Sequence, residues 1–398
     1  MAKPKLLYLV HRIPYPPNKG DKIRSFNFLK ALAERFDVYL GAFIDDPEDR
    51  VHVETLKAFC VEVFCLDLQP DVSKIKSLLG FCTGEALSLP YYRNAALQHW
   101  VDRVIADHAI DRALIFSSPM AQYLADKPAM RIVADFVDVD SDKWQQYAAS
   151  KSWPMNWVYR REAAKLFEFE RKMTGLFAQT LFVSEQESQL FQGMAPEYAD
   201  KIGFVNNGVD TEFFDPSSAL NSPYDSQEKA IVFTGAMDYW ANVDAVLWFG
   251  QTVMPLIAAQ DASARFYIVG SKPAHAVMQL AENHPAIVVT GRVDDVRPYV
   301  RHAHVAVGPL RIARGIQNKV LEAMAMARPV VVTPAGMEGI PESENLDVFV
   351  TDQPQHFADC VLRELRQPIR QSSRNRDYVM QHFGWLPNGQ RLCDYLNA

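Results

Sequence analysis

His304 to Gly339, HVAVGPLRIARGIQNKVLEAMAMARPVVVTPAGMEG, is the stretch from which the fold can be read. Val305 and Val307, with small residues between and after them, form a short apolar run closed by Gly308-Pro309, the pattern of a buried strand. Arg311 to Asn318 is polar and without period. Asn318 can cap a helix from about Lys319 to Ala327, with Val320, Leu321, Met324 and Ala327 on one apolar face. Pro329 ends that helix, and Val330 to Val332 is a second strand. Such a unit aims the unpaired N–H groups of the helix start at the carboxyl edge of a parallel sheet, where anions bind. It predicts an α/β protein with a site of phosphate grade.

Working outward, 398 residues exceed what one core usually serves, so two domains are expected. With 48% hydrophobic and 22% charged residues, each can bury a core. A net charge of -7 argues against a nucleic-acid partner, which needs a basic surface to neutralise phosphates. Five cysteines without a C-x-x-C pair fit a reduced, cytoplasmic protein. The opening MAKPKLLYLV enters a strand pattern directly, so no signal peptide is expected. No apolar run approaches the roughly 20 residues of a spanning helix, and any membrane contact is expected to be peripheral.

Lys5 to Val10 is the first strand, its unbroken apolar character implying burial on both faces. A loop with three prolines and Gly20 leads into a helix from Ile23 to Arg35, with Arg24 in its first turn. Gly20 and Arg24 are candidates for an acceptor or phosphate loop; the same stretch also suits a stiff connection with solvated lysines. Strands follow at Val38 to Phe43, Val61 to Leu66, Ala113 to Phe116 and Arg131 to Asp135, with a helix at Ala95 to His108. Between Gln69 and Arg93 the pattern weakens. The acidic run Asp135, Asp138, Asp140, Asp142 could take a proton from a hydroxyl, Asp138 first because it sits inside the loop. Clustered aspartates also solvate turns and cap helices. Lys151 to Met173 is a helix pattern in which Trp153 and Trp157 accompany Arg160, Arg161, Lys165, Arg171 and Lys172. That mixture favours an anionic membrane interface, although Glu162, Glu168 and Glu170 dilute the field and the apolar residues equally suit a core.

Asn207-Gly208 marks a tight turn, and the proline- and serine-rich stretch 216–229 reads as a linker. The first domain is therefore placed at 1–215 and the second at 230–379. The second opens with Ala230 to Thr234 and Gly235, then a helix to about Ala259, strands at Arg265 to Val269 and Ile287 to Thr290, and Val293 in the next turn. After Gly339 come a short strand, Val348 to Val350, a helix His356 to Leu365, and a last helix from Arg374 past Trp385. No H-E-x-x-H or cysteine–histidine cluster argues for a metal, and none is expected.

Gly315 to Thr333 resembles the nucleotide-sugar signature of family 4 GT-B glycosyltransferases, E-G-F-G-x-x-x-L-E-A-M-A-x-G-x-P-V-V-x-T. It stands here as Arg314, Gly315, Ile316, Gln317, then Leu321-Glu322-Ala323-Met324-Ala325, then Pro329-Val330-Val331-Val332-Thr333. Asn207-Gly208-Val209-Asp210 with Phe214 resembles the N-G-V-D-x-x-x-F that lies where the family's first domain hands over to the second. Val183-Ser184-Glu185 and Val293-Asp294-Asp295 are weaker matches. The resemblance implies two Rossmann-like, doubly wound domains facing across a cleft, with a C-terminal helix at about 380–398 crossing back to the first. It implies transfer of a sugar from a nucleotide diphosphate sugar to a glycan or lipid-linked acceptor, with retention of configuration and without metal or cofactor. Gly235, Val293, Gly315, Ile316, Gln317, Asn318, Lys319 and Glu322 are then the donor-binding candidates, Glu322 accepting from ribose hydroxyls. Asp138, Lys319 and Arg314 are the catalytic candidates.

Two departures matter. Arg314 stands where the family has its first glutamate, and the arginine and lysine usual after the first glycine of the second domain are missing after Gly235. Phosphate charge must be met elsewhere, and Lys319, in the first helical turn, is the leading candidate ahead of Arg311 and Arg314. The subgroup resembled most is that of bacterial exopolysaccharide systems linked to PEP-CTERM sorting, on Asp135-Phe136-Val137-Asp138-Val139-Asp140-Ser141 and Gly315 to Glu322. This implies work in the cytoplasm, at the inner face of the plasma membrane. A catalytically silent nucleotide-sugar binder is the alternative reading. A nicotinamide dehydrogenase is disfavoured because no G-x-G-x-x-G follows any predicted strand.

Overall fold

Unbroken apolar strands need cover on both faces, and the chain meets that need twice. The structure, a computed structural model, describes residues 3–17, 20–127, 129–149, 151–313, 315–341 and 345–398. It divides into two compact units, Met1–Asn207 with Trp385–Ala398, and Gly208–Gly384.

Among the described residues the first unit contains a seven-stranded sheet of β1 (Lys5–Val10), β2 (Asp37–Ile44), β3 (Glu62–Asp67), β4 (Arg112–Phe116), β5 (Arg131–Val137), β6 (Gln179–Phe182) and β7 (Ile202–Phe204). Their order is β3-β2-β1-β4-β5-β6-β7, with every pair parallel. Leu6 to Val10 are wholly buried. Because side chains alternate along a strand, Leu7 and Leu9 join a core with Trp100, Val104 and Phe182. Leu6, Tyr8 and Val10 join another with Phe28, Leu32, Leu392 and Leu396. The C-terminal helix Trp385–Asn397 thus completes the first unit. A Cβ on Gly389 would lie 2.4 Å from that of Ala31, so only glycine lets this helix press on the helix Gly20–Arg35.

The second unit repeats the plan with β8 (Lys229–Thr234), β9 (Ala264–Val269), β10 (Ile287–Gly291), β11 (Val305–Gly308), β12 (Val330–Val332) and β13 (Val348–Val350). Their order is β10-β9-β8-β11-β12-β13, again all parallel. In each sheet the winding reverses beside the first strand, between β1 and β4 and between β8 and β11. Those are the switch points at whose carboxyl edges ligands of such sheets bind.

The structure departs from the sequence reading at the ends of the units. The last helix is two helices, Ser373–His382 and Trp385–Asn397, and the break falls where the two units divide. The stretch 216–229, read as a linker, packs on the second unit: the Tyr224 hydroxyl donates to the Tyr299 carbonyl at 2.5 Å, and Leu220 joins the same core. Two apolar anchors in a polar segment are enough to dock it.

Arg24 is the other departure. Read as a candidate for a phosphate or acceptor loop, it is buried, with Nε and Nη2 donating to the two oxygens of Asp135 at 2.8 and 3.0 Å and Nη1 to Asn207 Oδ1 at 3.1 Å. Its guanidinium also lies 4.6 Å over the Phe28 ring. It ties the helix after β1 to the end of β5 and is closed to a ligand. Arg24→Met strands the Asp135 carboxylate, and urea unfolding should show a loss of about 3–5 kcal/mol. Adding Asp135→Leu should restore most of it.

Candidate functional site

The carboxyl edge of the second sheet is assembled from close backbone approaches. β8 runs out into Gly235, whose carbonyl oxygen would be 1.7 Å from any Cβ on Gly270 after β9. β11 runs out into Leu310, whose carbonyl accepts the Thr333 hydroxyl; Thr333 Oγ1 in turn accepts from the Gly336 N–H at 3.1 Å. The ends of β11 and β12 are thereby fastened together. Gly315 adopts the left-handed conformation, φ +70°, which favours glycine. Its N–H points to Glu338 Oε1 at 3.4 Å, and a Cβ on Gly339 would meet Ile316 Cγ1 at 2.8 Å. Glycine loop and turn therefore rest on each other.

The helix is Asn318–Ala325, and Gln317, not Asn318, occupies its N-cap position. Asn318 already has helical geometry. The Gln317 side chain makes no capping bond; its Nε2 donates to the Gly315 carbonyl at 3.0 Å. An amide one carbon longer than asparagine folds back on the glycine turn, so Gln317 leaves the helix start open to an anion.

Lys319 lies across the switch point. Its ammonium donates to Asn242 Oδ1 at 2.9 Å and sits 5.2 Å over the Phe233 ring, while Asn242 Nδ2 donates to the Ala236 carbonyl at 2.9 Å. Asn242 lies in the first turn of the helix Trp240–Trp248 after β8 and Lys319 in the first turn of the helix after β11, so this bond joins the two helix starts that flank the crevice. A Cβ on Gly235 would lie 3.4 Å from Lys319 Cε. Burial pulls the Lys319 amine down to about 8, against the opposing pull of Glu322. Burial likewise pushes Glu322, one turn along the helix, up to about 7, with Lys319 acting against it. Arg311 is exposed and paired with Asp244, its Nε 3.0 Å from Oδ2. Val293, in the turn after β10, packs beside the core that includes Val300 and Leu321. Arg314 lies outside the described residues. Asn242, Thr333 and Glu338 were not singled out in the sequence; only Thr333, inside the P-V-V-x-T run, carried a local signal.

Among the described residues at the carboxyl edge of the first sheet, two other than glycine have positive φ: Ser117 after β4, at 78°, and Val137 at the end of β5, at 72°. For a β-branched residue this is a strained conformation of the kind that gathers at functional sites. It delivers Asp138, which pairs with Lys143 at 2.5 Å; Lys143 also reaches Asp140 at 3.6 Å. Burial raises the Asp140 carboxyl. His11, after β1, stacks on Phe116 with ring centroids 5.8 Å apart and brings Nε2 to 3.4 Å from Asp21. Burial opposes ionisation of Asp21, yet the hydrogen bond from His11 and the charge of Arg12 hold its carboxyl well below the usual range. Arg12 also bonds Asp45 at 2.8 Å. Gly20 begins the helix Gly20–Arg35 in open space. The sequence pointed to Asp138 but not to His11.

Residues 228–367, most of the second unit, match the family model for glycosyl transferases group 1. No curated protein matches this sequence. Among solved structures, HepE of Anabaena in complex with UDP has a TM-score of 0.64 at 16% identity, over 99% of both chains. Sucrose-phosphate synthase of Thermosynechococcus elongatus gives 0.67 at 15% identity, over 98% of both. WaaG, a glycosyltransferase involved in lipopolysaccharide biosynthesis, gives 0.57 at 16%, over 98% of this chain and 95% of its own. These likenesses show the GT-B fold.

A diphosphate at this helix start favours charged Lys319. Affinity for a nucleoside diphosphate should therefore be greatest below pH 8 and fall as pH rises through about 8, the free-state value of that amine. Lys319→Ala should weaken binding by about 1.5–3 kcal/mol and flatten the profile in titration calorimetry.

Proposed function

We propose that the protein moves a sugar from a nucleotide diphosphate sugar to an acceptor hydroxyl, with retention of configuration and without a metal ion, in bacterial exopolysaccharide or glycoconjugate synthesis. The observation that carries this reading is Lys319, held over the Gly235 turn beside a helix start that no side chain of Gln317 caps. As the glycosidic bond breaks, charge grows on the departing diphosphate. An ammonium and backbone N–H groups fixed in advance stabilise that charge more than they stabilise the bound donor.

In this reading Glu322 accepts from the ribose hydroxyls, and Gly315, Ile316, Gln317 and Asn318 line the donor. Val293 neighbours the base. Asp138, delivered by the strained end of β5, takes the proton of the acceptor hydroxyl. HepE was solved with UDP and with UDP-glucose, which makes a uridine nucleotide the first donor to try. The acceptor is a glycan or a lipid-linked sugar met in the cytoplasm, and the motifs of the PEP-CTERM-linked subgroup support an exopolysaccharide role. A silent nucleotide-sugar binder is the second reading, favoured by Arg314 in place of the family's glutamate and by the missing cations after Gly235.

Calorimetric titration with UDP-, GDP- and ADP-sugars in the absence of divalent metal should identify one nucleotide, and slow donor hydrolysis should accompany binding. Binding without hydrolysis or transfer to any lipid-linked acceptor would select the silent binder. Glu322→Ala should cost about 1–3 kcal/mol in nucleotide affinity with the fold intact. Asp138→Asn should lower turnover about 10²–10⁴-fold while leaving donor affinity unchanged, and wild-type turnover would remove Asp138 from the chemistry.

A further inference from the structure

Two short helices of the first unit, Pro70–Ser77 and Leu79–Thr83, are inverted for a water-facing element. In the first, the buried residue is Ser73, while Val72 and Ile75 face outward, Ile75 at 70% exposure. Leu79 follows at 58%. A helix held by hydrophobic packing alone would present the opposite face. The apolar stripe continues onto the start of the helix Met155–Leu176, where Phe81 and Trp157 stack at 5.9 Å with planes 7° apart. Arg161 locks the two segments: its guanidinium lies 4.8 Å over Phe81 and donates to the Gly80 and Glu85 carbonyls at 2.5 and 3.0 Å. Trp153, just before that helix, is 80% exposed.

We propose that this face docks on an anionic lipid surface, with Ile75, Leu79, Phe81 and the two tryptophans entering the headgroup region. Charge decides the occupant. Residues 70–83 and 151–161 together carry five basic side chains, Lys74, Lys76, Lys151, Arg160 and Arg161, and one acidic, Asp71, in a chain of net charge -7. A protein-binding core is depleted of lysine, whereas lysine and arginine among exposed tryptophans fit a bilayer interface. Among the described residues no helix is long and apolar enough to cross a membrane, so the contact is one of surface only. The inference stands apart from the transferase reading and uses none of its residues.

The test floats the full-length protein with phosphatidylcholine vesicles and with vesicles that also contain phosphatidylglycerol. Bilayers brominated in the acyl chains then report on tryptophan emission. Binding should require phosphatidylglycerol, weaken with salt and quench part of the emission. Ile75→Ser with Leu79→Ser should abolish the quenching. Lys74→Glu with Lys76→Glu should weaken binding at least about tenfold. Circular dichroism should remain unchanged in both. Absence of binding, equal binding to both vesicle types, or a concentration-dependent dimer dispersed by the serine pair would overturn the proposal; the last would assign the face to a second copy of the chain.

Discussion

A parallel strand covered on both faces can carry polar chemistry only where it ends. That constraint shapes both units, because β1 and β8 are apolar along nearly their whole length and the candidate groups Asp138, Lys319 and Glu322 lie in the loops and helices that follow strand ends. The switch points then bring loops from non-consecutive strands together. In the first unit the junction is closed by Arg24 and Asp135, which satisfy each other in the interior. In the second it is bridged by Lys319 and Asn242, a single hydrogen bond that takes one of the three donors of an ammonium. The same topology produces a structural lock in one unit and an open cation in the other.

Much of the fold was legible because its signal is local. Strand runs such as Lys5–Val10 and Val330–Val332 are apolar, short and closed by glycine, proline or polar loops, and helix Ala95–His108 follows its period. What was not legible depended on distant partners. Nothing near Arg24 announces Asp135, 111 residues away. Nothing in the polar stretch 216–229 announces that Tyr224 reaches Tyr299. At the helix start, propensity favours asparagine as a cap, yet the turn at Gly315 draws the Gln317 side chain to itself and moves the helix start by one residue. The weak pattern between Gln69 and Arg93 likewise has a physical cause: helices with their apolar side outward carry no core-facing stripe to read.

For the candidate site, the signature run located the helix, and charge reasoning singled out Lys319. Its setting was invisible, since Asn242 belongs to a helix start 77 residues earlier. The first-unit edge was read only through its aspartates. His11 and the strained Val137 became apparent once β1, β4 and β5 lay side by side, because φ values and ring stacking are properties of the assembled sheet.

The contact between Gly270 and the carbonyl of Gly235 reaches into the protein's evolution. Any Cβ there would overlap an oxygen atom at 1.7 Å, and that carbonyl belongs to the turn over which Lys319 lies. Selection on the Gly235 turn would therefore fall on Gly270, a position with no side chain to offer a ligand. A mutational scan would rank it among the most intolerant sites of the domain. Its invariance in a lineage would record a steric veto exercised by main chain on main chain.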